Sequence, residues 1–334
     1  MASVSDIGID LGTSNVVIYA RDKGVVLNEP AVVALERDTR VIRAIGTEAY
    51  RMIGRTPVGI EVKRPLREGS VADFELTGSM LRHFVVQVIG KRMFSRPRAV
   101  LSLPSGINEN EKRNIAAVMF EAGARRTQLL ERPVAAAIGA EMDINEVYGT
   151  MVVDIGAGMT DIAVISTGRV VVSSAVKLGG DQFNEAIINY LRRKHNLLVG
   201  ERTAEELKIA IGSAVPRREQ IYLDVTGRNL ISGLPKLMRI TSDEIYEAID
   251  DPRGNLIDAI HAVLERTPAE LAADVFDAGI VLTGGGALLT GLSDAVAAAL
   301  KLDCRVADDP QTCVAKGCGR TLENLADYGR YLGR

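Results

Sequence analysis

The chain has 334 residues, of which 47% are hydrophobic and 25% charged, the composition of a globular protein with room for two domains. A formal net charge of −3 supplies no basic field of the kind that holds nucleic acid. No apolar stretch is long enough to span a bilayer, Met1–Asp6 lacks the pattern of a signal peptide, and three late cysteines (Cys304, Cys313, Cys318) with scattered histidines suggest a reduced cytoplasmic compartment rather than disulfides or zinc.

The first element in chain order is a hairpin. Ile7-Gly8-Ile9-Asp10-Leu11 is an apolar strand ending near an acid, Gly12-Thr13-Ser14 is a small polar turn, and Asn15-Val16-Val17-Ile18 starts a second strand. Gly24 to Leu35 reads as two short strands around Pro30, and Glu36 to Asp73 as a charge-rich, surface-facing subdomain. Leu76, Met80, Leu81, Phe84, Val85 and Val88 form the apolar stripe of a helix from Glu75 to Gly90. The loop that follows, Lys91 to Arg98, sets Met93 and Phe94 among four cations. Its residues alone favour a Met-Phe pair folded back on the core over a tip that dips into a membrane.

Ala99 to Pro104 is a buried strand, and Asn108 with Glu111 forms a capping box for a helix stopped at Gly123. Gln128 to Pro133 leads from a strand into a helix from Pro133 to Met142, with proline in its first turn. The end of such a strand is where α/β proteins place functional side chains.

A second hairpin, Val152-Val153-Asp154-Ile155-Gly156-Ala157-Gly158-Met159-Thr160-Asp161-Ile162, repeats the first: apolar strand, acid, glycine turn, apolar strand. Glycines there let backbone approach a ligand closely and aim its N–H groups at one spot. One copy is a weak signal. Two, a domain's length apart, suggest a duplicated domain with a ligand between the halves, and paired N–H nests with two acids suit a polyphosphate and a divalent metal.

Ser173 to Leu178 is a strand, and a helix runs from Gln182 to Lys194. Thr203 and Glu206 read as the capping box of the next helix, on which Glu205 and Lys208 share a face, either as a surface pair or as a clamp on a ribose or base. Pro216 to Ile240 reads as a meander with turns at Gly227 and Gly233, followed by helices from Ser242 to Ile249 and Leu256 to Arg266. Gly279 to Leu289 is a strand running into Gly284-Gly285-Gly286 and then a helix, placed like a nucleotide turn. Val314 to Leu325 is a helix that returns to the first half.

Together these pieces resemble the actin, Hsp70 and sugar-kinase ATPase superfamily. The two Asp-Gly hairpins match its phosphate motifs, Leu282 to Gly286 its adenosine motif, and Pro133 to Ala137 and Val314 to Gly319 its two connecting helices. Within it, the chain is similar end to end to the MreB family of bacterial actins, through Asp10 to Thr13, Val25 to Pro30, Arg64 to Gly69, Gly200 to Glu205 and the triple glycine.

The resemblance implies an α/β, actin-like ATPase fold: two duplicated domains around a nucleotide cleft, each with a smaller subdomain. Residues 1–32, 75–146 and 313–334 would form domain IA and 33–74 subdomain IB; 147–181 and 242–312 would form domain IIA and 182–241 subdomain IIB. It implies ATP and Mg²⁺. Thr13, Ser14 and Asn15 with Ala157, Gly158 and Met159 would hold phosphates, and Asp10 and Asp154 the metal through water. Glu205, Glu206, Leu207 and Lys208 with Gly285, Gly286, Ala287 and Leu288 would hold ribose and adenine.

It also implies protofilaments paired antiparallel on the anionic inner face of the cytoplasmic membrane, working with cell-wall elongation proteins and not with nucleic acid. The family's membrane loop falls at Met93 and Phe94, which turns the reading of that loop toward membrane contact; with few residues before Asp6, the loop would act without an N-terminal amphipathic helix. An actin-like filament for DNA segregation or organelle positioning is an alternative, and a small-molecule kinase a more distant one. An Hsp70-type chaperone would need a peptide-binding domain after the ATPase.

The catalytic candidates are Glu131, Arg132, Asp154 and Thr160. Two positions depart from the family: Arg132 stands where a water-positioning Glu is usual, with Glu131 adjacent, and Met159 stands where Thr is usual. Loss of a water-orienting group costs about 10²-fold or more in rate, so the expectation is ATP binding with slow hydrolysis. Arg132 could instead pair with the γ-phosphate and retain ATP.

Overall fold

The structure is a computed structural model that describes residues 6–90, 97–104 and 107–332. Two five-stranded sheets share one topology. In the first, the order is Arg126–Glu131, Arg98–Leu103, Ile7–Leu11, Asn15–Ala20, Gly24–Pro30; in the second it is Cys304–Val306, Ile280–Thr283, Thr150–Ile155, Thr160–Ser166, Arg169–Val176. In each, three consecutive strands pair antiparallel through tight turns, and two later strands join in parallel after helical crossovers. The duplication read from the two hairpins is thus a duplication of whole sheets. Both strands of the second hairpin are buried along their full length, which is why they read as unbroken apolar runs.

Two helices lie between the sheets, Arg132–Gly139 and Cys313–Glu323. One apolar cluster runs from Val100 and Leu130 of the first sheet, through Ala135, Ala136 and Cys318, to Val152, Ala163 and Ile165 of the second. It ties the halves together below the hairpin tips. A smaller sheet (Ile42–Ile45, Val33–Glu36, Ile60–Lys63) sits on the first half, and another (Leu197–Leu198, Tyr222–Asn229, Pro235–Thr241) on the second.

Local signals were strongest where side chain and backbone satisfy each other. Asp73 caps the helix Phe74–Ile89, and Asn108 and Glu111 exchange the two bonds of a capping box.

Other expectations need correction. The helix expected to reach Met142 ends at Gly139, where Arg320 donates to the carbonyl of Ile138 and Glu141 turns the chain with φ 59°. The helix read from Thr203 begins at Glu201 with Gly200 as N-cap, so Thr203 lies inside it and Glu206 pairs with Arg202 at 3.0 Å. Gly227 is not a turn but a strand residue opposite Lys236; a side chain there would meet Leu197 at 2.8 Å. The helix read from Leu256 starts at Asp250, because Pro252 suits a first turn while the charged residues around it hid the apolar period. Ala269–Ala278 is a further helix, and the strand read as Ser173 to Leu178 is Arg169–Val176. Directly after the triple glycine comes a four-residue 3-10 turn, Gly285–Leu288, with the α-helix delayed to Leu292. Met93 and Phe94 lie outside the described residues.

Candidate functional site

The two hairpin turns are built alike. The Gly12 N–H donates to the Asn15 carbonyl at 3.0 Å, and the Gly156 N–H donates to the Met159 carbonyl at 2.9 Å. The acids sit at equivalent places, Asp10 opposite Val17 and Asp154 opposite Asp161. Because the sheets face each other across the paired helices, the two tips meet. A side chain on Gly158 would come within 3.0 Å of the Thr13 hydroxyl.

Behind the tips lies a cavity of about 310 Å³, the size of a small-molecule site. Thr13, Ser14, Asn15, Ala157, Gly158 and Met159 line it from the hairpins, and Asp10, Asp154 and Arg132 lie at its floor. Glu205 and Lys208 enter from the helix Glu201–Ile211, and Gly285, Gly286 and Leu288 from the triple-glycine turn. Glu205 and Lys208 arrive together because residues three apart share a helix face.

Five expected residues are placed elsewhere. Glu206 is exposed and ion-paired with Arg202, while Leu207 and Ala287 are in the core of the second half. Glu131 is exposed, one residue before the helix that carries Arg132. Thr160 is fully buried and donates at 2.6 Å to the carbonyl of Leu178, just past the strand Arg169–Val176. Residues that pattern reading missed also line the cavity, among them Asn28, Phe183 and Gln311. Asn28 accepts a hydrogen bond from the Asn15 amide at 2.7 Å, so it fixes a tip from the third strand, where no local signal marks it.

The floor is the most charged part of the site. Arg132 is 5% exposed; its guanidinium donates to Asp10 at 3.2 Å and to the Leu11 carbonyl at 3.1 Å. Burial works against its charge, but Asp10, Asp161 and Asp154 outweigh that and raise its pKa further. Asp10 also accepts from the Ser102 hydroxyl at 3.0 Å. Burial pushes the Asp154 carboxyl up to about 7, against the pull of Arg132 and of a hydrogen bond from Thr283 at 2.9 Å. Burial lowers the pKa of Lys208, resisted by Glu205, Asp181 and Glu201, and its ammonium donates to the Gly180 carbonyl at 3.0 Å.

Met159, 7% exposed, carries its sulfur across the cleft onto Gly69, in the small subdomain of the first half. Farther out, Arg64 spans the same cleft to Glu201 at 2.7 Å and to Asp181 at 3.7 Å, and Lys177 pairs with Glu68.

The glycine tips and Lys208 offer N–H donors and a cation to an anionic ligand. The acids do not offer an equally open place to a divalent metal. Asp10 already holds a guanidinium, and burial favours the uncharged form of the Asp154 carboxyl. The residues present therefore do not fit the metal arrangement that the resemblance implies.

Comparison with known proteins agrees with this architecture. The family model described as MreB/Mbl protein matches residues 4–330. The chain is 47% identical to the cell shape-determining protein Mbl of Bacillus subtilis over 320 residues, covering 96% of each. It is 46% identical to the cell shape-determining protein MreB of Escherichia coli K12 over 330 residues, covering 97% of this chain and 95% of that one. The crystal structure of MreB5 of Spiroplasma citri bound to ADP superposes with a TM-score of 0.92 at 35% identity, covering 97% of both chains. With two duplicated α/β halves closed on one cavity and this similarity along nearly its whole length, the chain belongs to the MreB/Mbl family and has its actin-like fold.

Proposed function

We propose that this chain is an adenine-nucleotide-binding, filament-forming bacterial actin that assembles on the inner face of the cytoplasmic membrane and organises cell-wall synthesis for rod shape. The observation that carries the nucleotide reading is the convergence of two like glycine turns on one cavity, the tips so close that a side chain on Gly158 would crowd Thr13 at 3.0 Å. In this reading Thr13, Ser14 and Asn15 with Ala157, Gly158 and Met159 hold the phosphates. Glu205 and Lys208 with Gly285, Gly286 and Leu288 hold ribose and adenine. The halves divide as the two sheets and their small subdomains do, into domains IA, IB, IIA and IIB.

Support comes from relatives named as cell shape-determining and from MreB5 of Spiroplasma citri, solved with ADP and with AMPPNP. No helix among the described residues is long and apolar enough to cross a membrane, and the membrane contact proposed is through Met93 and Phe94.

Hydrolysis is slow in this proposal. At position 132 the side chain is a guanidinium, which cannot accept a proton from an attacking water, and at 159 it is a thioether in place of a hydroxyl. The neighbouring Glu131 is exposed outside the cavity.

The test is sedimentation with ATP, with and without anionic vesicles. Pelleting with ATP alone supports the filament. Vesicle binding that is lost in the double variant Met93→Ser, Phe94→Ser, with ATP-dependent pelleting retained, supports the membrane contact. No nucleotide-dependent assembly in either arm overturns the filament reading.

A further inference from the structure

We propose that Arg132 is a built-in cation at the floor of the cavity, so that this chain binds ATP without a divalent metal. The inference rests on the nucleotide reading above and deepens it.

The first support is place. Arg132 opens a rigid, fully buried helix between the two sheets and lines the same cavity as Gly12, Thr13, Gly156 and Gly158. The second is its partners. Its guanidinium lies 3.2 Å from Asp10 and 3.1 Å from the Leu11 carbonyl, and the charges of Asp154 and Asp161 act on it as well. A positive charge held among the acids of both hairpins is what a divalent ion would otherwise supply. The third is the donor inventory. A guanidinium has five N–H donors in a planar fork that matches phosphate oxygens, and Arg132 lines the cavity that would hold them.

These features also oppose a metal. An arginine does not shed its proton in proteins, so a divalent ion beside Asp10 would meet a fixed like charge at short range. Asp10 already accepts from Arg132 and from Ser102 on one oxygen, and the guanidinium beside it offsets the field that would attract a divalent ion.

The experiment measures the Kd of a fluorescent ATP analogue for the purified full chain, in excess MgCl₂ and in excess EDTA. The expected result is a Kd in EDTA within about threefold of that in magnesium. Binding more than about tenfold weaker in EDTA overturns the inference and leaves the nucleotide reading standing. No binding in either buffer overturns both.

This wild-type comparison needs no variant. As a second arm, Arg132→Glu, checked for folding by circular dichroism, should make binding depend on magnesium by about tenfold or more. If that variant fails to fold, Arg132→Met keeps the bulk without the charge, and its binding in EDTA should fall by a similar factor. Unchanged binding of a folded variant in EDTA overturns the role of Arg132.

Discussion

Gly139 faces the backbone carbonyl of Cys313 with no room for a methyl group, and Gly317 faces the carbonyl of Ala135 in the same way. The two helices between the sheets therefore touch backbone to backbone at two reciprocal points. Glycine in a helix interior is unfavourable by itself. It is used here because only glycine allows so close a crossing, and that closeness brings the two sheets, and hence the two hairpin tips, together.

Gly317→Ala should accordingly destabilise the chain by about 1–3 kcal/mol, the cost of overpacking. Gly254, on the helix Asp250–Glu265, has nothing near the position of an added side chain. Gly254→Ala should stabilise by about 0.5–1 kcal/mol. Denaturant midpoints of the two variants decide this; equal signs would show that the crossing is not what selects glycine at 317.

The catalytic departures can be reversed in place. Arg132→Glu with Met159→Thr should raise phosphate release from assembled protein by about 10²-fold when magnesium is present. Met159→Thr alone also loses the contact of its sulfur over Gly69, at a cost of about 1–3 kcal/mol, so stability is to be measured alongside. Release from the unaltered chain at the rate of the double variant would show that these two positions do not limit turnover.

The pair formed by Glu244 and His195, 2.6 Å apart, predicts a pH dependence. Burial works to raise the Glu244 pKa, but hydrogen bonds from the Thr241 backbone and from His195 outweigh it and hold the carboxyl below its ordinary 4.5. A depressed carboxyl contributes stability that is complete above 4.5 and fades as the pH falls through the lower folded value. Glu244→Gln should therefore cost about 1 kcal/mol at neutral pH and converge with the unaltered chain in strong acid. A difference that stays constant down to acid would assign the cost to helix capping rather than to charge.

Arg64 joins the halves across the mouth of the cleft through Glu201 and Asp181. These partners are partly exposed, so Arg64→Ala should change global stability by less than about 1 kcal/mol. Its effect should appear in kinetics, as a several-fold faster release of a bound fluorescent ATP analogue. Stopped-flow chase with unlabelled ATP reads this directly; an unchanged release rate would mean that the bridge does not hold the cleft closed.

The parts of the site carried by local pattern were legible. An acid, a glycine turn and apolar runs on both sides specify a hairpin within a dozen residues, and the second copy signalled the duplication. Asp10, Asp154 and Gly158 are legible in this way as parts of one site, and they line one cavity. Where a reading rested on adjacency instead, it over-reached. Glu206, Leu207 and Ala287 adjoin cavity residues in sequence, yet a helix or 3-10 turn sends successive side chains to different faces. Gly227 looked like a turn because glycine so often marks one; it is in a strand because Leu197 packs against it.

The sequence by itself determined the two hairpins, the triple-glycine turn, the helix cap at Asn108, and the departures at 132 and 159, because each is a short-range matter of backbone freedom, periodicity or residue identity. Only the tertiary structure decided what Arg132 does. Its partner Asp10 is 122 residues away, and no local rule says which acid a buried guanidinium will meet. That choice follows from the order of the first sheet, in which Arg98–Leu103 alone separates Ile7–Leu11 from Arg126–Glu131, so that the buried guanidinium after the one strand meets the acid near the end of the other and is neutralised out of water.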